Sequence, residues 1–179
     1  MKNLFYKLLA PWRYYTIRES SKTLFWLNWG LPALVTIATS AVYFFYPEVI
    51  REHIFQSKDV LGFLSGFFIT ALSAVAVFDR KGMDEAMPGN VTAVFRSDID
   101  TKAQRYSISR RRFLCMQFSF LAAQSFILAF LASLCPKFNK IFIIISSIVY
   151  LFFFFQITLI ALHGLYYLGE KLLNAPKAK

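Results

Sequence analysis

The sequence predicts an all-α integral membrane protein: four transmembrane helices in one domain spanning residues 1–179, with both termini cytoplasmic. Three observations carry this. Apolar residues fill 57% of the 179 positions, and 21 of them are phenylalanine, far above the usage of a soluble domain. Four charge-free apolar runs are each long enough, as helix, to cross a hydrocarbon core of roughly 30 Å. Lysine and arginine gather in alternate connecting segments, which is the signature of membrane topology. The runs are apolar throughout rather than alternating, so transmembrane strands do not fit. In lipid, helix is then the conformation that gives every backbone group a partner.

In chain order, Leu4, Phe5, Leu8, Leu9 and Trp12 share one helical face opposite Lys2 and Lys7. This is an amphipathic N-terminal segment suited to the membrane interface, with Trp12, Tyr14 and Tyr15 as anchors at headgroup level. A short cap folded over the bundle would satisfy the same pattern. The first span, about 24–46, contains Pro32. Proline has no N–H, so the carbonyl of Asn28 loses its helical donor and a kink is expected. A short loop of mixed charge, "PEVIREHIFQSKD", leads to the second span at about 60–78. The middle loop, 79–112, has a Pro88-Gly89 turn and an apolar "VTAVF", and its last part reads as a helical extension of the third span. Spans three and four, about 113–135 and 141–169, are joined by "PKFNK" and form an antiparallel hairpin.

Sixteen of the 20 basic residues lie in the N-terminal segment, the middle loop and the tail, which places all three in the cytoplasm. The net charge of +10 is therefore accounted for by topology, and no direct nucleic-acid contact is expected. "SRRRF" sets Arg110, Arg111 and Arg112 at the foot of the third span, where they can meet anionic lipid headgroups or a partner protein.

Reactive chemistry is absent from the spans. None holds an Asp, Glu, Lys or Arg, the usual mark of an ion path or proton relay, which argues against a proton-coupled exporter. Cys115 and Cys135 stand about 30 Å apart along one helix and cannot bridge within the chain. His163 has no Cys, Asp or Glu within a helical turn in sequence, so a cross-helix bond is its expected role. No enzyme, cofactor or metal site is expected.

The polar and small residues of the spans suit assembly instead. Gly62, Gly66, Thr70 and Ala74 recur every fourth residue, a small-residue face on which helices pack closely. Gln117 and Gln124, seven apart, share a face from which their amides would seek partners across helices. Such faces exceed what four helices can bury among themselves, and the expected state is a homo-oligomer, a tetramer for instance.

The stretch "GFFITALSAVAVFDRKGMDEAMPG", followed by "SISRRRFL", resembles the KwaA family, the four-helix membrane subunits of the Kiwa anti-phage defence system. The likeness extends over the chain as topology and carries over no site residue. It implies an oligomeric sensor or scaffold of the bacterial inner membrane, holding a cytoplasmic DNA-binding effector of KwaB type. The expected function is thus a non-enzymatic membrane sensor and scaffold that recruits a cytoplasmic effector in anti-phage defence. The alternative is an effector that oligomerises into a pore and depolarises the inner membrane.

Overall fold

A computed structural model describes residues 10–19, 22–45, 47–77, 83–87, 91–95, 104–134 and 140–173. A 3-10 segment, Ala10–Thr16, precedes the first span. That span consists of a short α1 (Thr23–Phe25), a π-helical turn (Trp26–Gly30) and α2 (Leu31–Phe45). Next come α3 (Pro47–Val77), strands β1 (Thr92–Phe95) and β2 (Gln104–Ser107), α4 (Arg110–Leu134) and α5 (Lys140–Leu173). Four stretches are long and apolar enough to cross a membrane: Thr23–Ala41, Glu52–Val77, Arg110–Ser133 and Ile145–Leu168. The chain is a multi-pass membrane protein by that criterion.

The helix α4 is the centre of the bundle. Half of its span is buried, against 22% to 33% for the other three. Its most extensive neighbour is α3, while α5 packs on both α2 and α4. On α3 the buried seam is Ile54, Leu61, Phe68 and Val75, a strict seven-residue spacing that keeps one face on α4. The closest tie is small and polar: Ser65 Oγ donates to the Ala122 carbonyl at 3.2 Å. Phe63, Ile37, Phe126 and Val77 point outward, as lipid solvent allows.

Two sequence expectations are corrected. The stretch 47–59 is not a loop but the first part of α3, which starts on Pro47 and runs for 31 residues, about 46 Å. Its charges are tolerated because a helix longer than the hydrocarbon core must leave it. The middle loop is not helical over its described residues before Arg110. Thr92–Phe95 and Gln104–Ser107 form an antiparallel hairpin, with Thr92 opposite Ser107 and Phe95 opposite Gln104. β-Branched and aromatic residues in short alternation favour strand there, and α4 begins only at Arg110. In the first span, the departure from α geometry is a π turn directly before Pro32, with the Leu31 N–H reaching back to the Trp26 carbonyl.

Candidate functional site: a buried amide node and the hairpin tied to it

Pro32 leaves the Asn28 carbonyl without its helical donor, and the fold supplies one from another helix. Gln156 on α5 donates its Nε2 to that carbonyl at 2.7 Å. The Gln156 Oε1 accepts twice, from Gln124 Nε2 on α4 at 2.9 Å and from the Tyr15 hydroxyl at 3.2 Å. Tyr14, in turn, donates to Asn28 Oδ1 at 3.3 Å. One fully buried glutamine therefore joins the first span, α4, α5 and the 3-10 segment. In a low-dielectric interior each bond of such a network is electrostatically stronger than in water.

A second level lies about two turns away along α4. Gln117 Nε2 donates to the Ile160 carbonyl at 2.6 Å. Gly164 makes the space, since a Cβ there would come within 3.0 Å of that amide nitrogen. The amides expected to reach across helices from α4 do so at both levels. Gln117 Oε1, Gln124 Oε1, Ser125 Oγ and Thr36 Oγ1 are buried with no partner among the described residues. His163 sits edge-on to Phe113, 6.4 Å between ring centres. Among the described residues no cluster of His, Cys, Asp or Glu could hold a metal ion.

The aromatic residues expected as interfacial anchors form the lid of this node. Trp12, Tyr14 and Tyr15 surround Phe120 of α4 at ring distances of 5.4, 4.9 and 4.9 Å. Tyr14 is 2% exposed, because its hydroxyl finds Asn28 and its ring stacks on Phe120. Over residues 10–16 the segment is a cap on the bundle, and the apolar face through Leu9 falls outside the described residues. Burial pushes both phenols above the ordinary tyrosine value, so both stay donors at neutral pH. Their contribution to stability is complete below the unfolded-state value of about 10 and is lost as pH rises through the higher folded-state value.

Directly after the cap, the chain meets the hairpin. Arg18 pairs with Thr92 through both backbone bonds, N–H to carbonyl at 2.8 and 2.9 Å, extending the sheet edge beside β1. A separate segment ahead of the hairpin, 83–87, is clasped to α4. Arg111 grips Asp84 with two parallel bonds of 2.8 and 2.9 Å and donates a third to the Ala76 carbonyl at the end of α3. Arg110 pairs with Glu85 at 3.2 Å. The Met83 and Glu85 carbonyls accept from the first N–H groups of α4, which would otherwise be orphans. Of the three arginines expected to face lipid or a partner, Arg110 and Arg111 hold acidic residues of the same chain, and all three stand at the first turn of α4.

The clasp is partly solvated, so its strength is modest. Arg111→Lys keeps the charge and loses the fork, and should cost about 0.5–1 kcal/mol. The expected readout is amide exchange across Met83–Met87 that is roughly two- to fivefold faster, with the helices unchanged. Unaltered exchange would show that the backbone bonds alone hold the segment.

The stripe Gly62, Gly66, Thr70, Ala74 lies on the outer face of α3, a turn away from the seam on α4, and all four residues are exposed. A Cβ added at either glycine meets nothing within 4 Å. Among the described residues these glycines serve no close approach. Sequence reasoning found the amides on α4 and the orphaned Asn28 carbonyl, but not that Gln156 joins them. Its only signal was a lone amide in a charge-free run of 29 residues. Compared with known proteins, the chain matches no protein-family profile, no curated protein and no solved structure.

Proposed function

We propose that the chain is a non-enzymatic sensor and scaffold of the bacterial inner membrane, with both termini and the hairpin cytoplasmic. It assembles with copies of itself and recruits a cytoplasmic effector in anti-phage defence, a DNA-binding protein if the Kiwa resemblance holds for function. The observation that carries this reading is the short path from node to hairpin. Tyr15 bonds the buried Gln156, and Arg18, three residues on, is paired to Thr92. A shift of helices in the bilayer that breaks the node would move the hairpin edge. The exposed small-residue face on α3 supports assembly, since a second helix can approach it without displacing anything in the chain.

The test is a mild-detergent pull-down of the tagged full chain from its host, with the mass of the intact complex measured. Several copies carrying a stoichiometric soluble protein are expected. The pore reading draws support from the unpartnered amide and hydroxyl oxygens buried in the bundle, which could line a wet path within one copy. An oligomer with nothing attached that passes ions in proteoliposomes would replace the scaffold by the pore.

A further inference from the structure

Where the cap turns into the first span, a cleft of about 540 Å³ opens at the foot of the bundle. Its polar end carries Arg18, Lys22 and Glu19, and its apolar wall carries Phe25 and Trp29. Arg18 and Lys22 are exposed, and neither belongs to an ion pair among the described residues. Glu19 is half-buried and near enough to His163 to act on it electrostatically. The cleft thus keeps a surplus of positive charge. The aromatic wall is preset rather than floppy: Trp29 is 47% exposed, yet its ring lies 5.8 Å from Tyr15 and 5.9 Å from Phe152.

We propose that this cleft binds one anionic phospholipid, its phosphate between Arg18 and Lys22 and an acyl chain along Phe25 and Trp29. Three features select this occupant. The cations lie just before Thr23, where the first apolar span starts, the depth at which a headgroup phosphate meets helix-end basic residues. The wall beyond them belongs to that span and is open to lipid. The volume is in the range that holds a headgroup and the start of a chain. A soluble phosphate compound would satisfy the cations and leave Phe25 and Trp29 exposed. The bound lipid would touch Tyr15 and Asn28, which line the cleft and belong to the amide node. The proposal rests on membrane insertion alone and needs neither a partner nor a second copy.

The experiment is lipid titration of the delipidated full chain in detergent, followed by native mass spectrometry. Phosphatidylglycerol is compared with phosphatidylcholine. Two basic residues near the surface correspond to a preference on the order of ten- to thirtyfold for the anionic lipid. Arg18→Gln with Lys22→Gln should abolish that preference, and Arg13→Gln, exposed on the cap outside the cleft, should keep it. Preference retained in the double variant, or lost equally in Arg13→Gln, would overturn the proposal in favour of diffuse surface charge. Displacement of the lipid by equimolar glycerol phosphate would overturn it in favour of a soluble ligand. A reading on unaltered cleft residues guards against a misfolded variant. With Trp12 and Trp26 replaced by phenylalanine, brominated phosphatidylglycerol should quench Trp29, and brominated phosphatidylcholine should not. Equal quenching by both lipids would also sink the idea.

Discussion

Gln156→Leu should lower the stability of the chain by about 2–5 kcal/mol. The side chain makes two buried bonds and one half-buried bond, and cross-helix bonds in membranes contribute about 0.6–1.7 kcal/mol each. The upper half of the range is favoured for one reason: the Asn28 carbonyl has no fallback. In an ordinary helix it would return to the N–H four residues on, but that residue is Pro32. Pro32→Ala restores an N–H, so in the Gln156→Leu background it should recover about 1 kcal/mol. In the parent it should be neutral or mildly destabilising. Unfolding in mixed detergent micelles reads all four corners of this cycle. Simple additivity would mean that Gln156 does not stand in for the missing helical donor.

Gly66→Ile should convert the detergent-solubilised protein from an oligomer to a single chain. The substitution is unusually clean. A Cβ at Gly66 meets nothing within 4 Å, so the fold of one copy has no reason to change, and glycine is a poor helix former to begin with. What isoleucine would obstruct is a second helix at the small-residue face. Phe67→Ile, on the neighbouring exposed position, serves as the control and should leave the mass unaltered. A Gly66→Ile protein of unchanged mass would remove this face from any account of assembly.

Much of the fold was legible because the bilayer imposes a coarse rule. Charge-free runs were enough for four spans. The orphaned Asn28 carbonyl was legible too, since Pro32 creates it covalently. The donor that answers it was not. Gln156 stands 128 residues away from Asn28, and only packing of α5 against the first span brings it there. The charged stretch 47–59 was read as loop because charge disfavours membrane burial. Charge does not disfavour helix, and Pro47 at a first helical position is itself a start signal. The hairpin was missed for a different reason. Four-residue strands show too little alternation to stand out, and what ties them to the cap are backbone bonds to Arg18. The glycine stripe was conspicuous, but its direction on α3 depends on which face the heptad seam takes.

The helices are unequal in length, and this bears on how the protein would respond to the bilayer itself. α3 and α5 run for 31 and 34 residues, whereas the buried central α4 has 25. At about 1.5 Å per residue the long pair exceeds the central helix by roughly 9 and 13 Å. Helices that outrun the hydrocarbon thickness accommodate it by tilting. The apolar stretches themselves are nearly matched, at 26 residues in α3 and 24 in both α4 and α5, so the surplus length lies outside the hydrocarbon core, and a change of membrane thickness that tilts these helices unequally shears the seams between them. Gln156 spans one such seam, so hydrophobic mismatch acts on the bond that completes the first span.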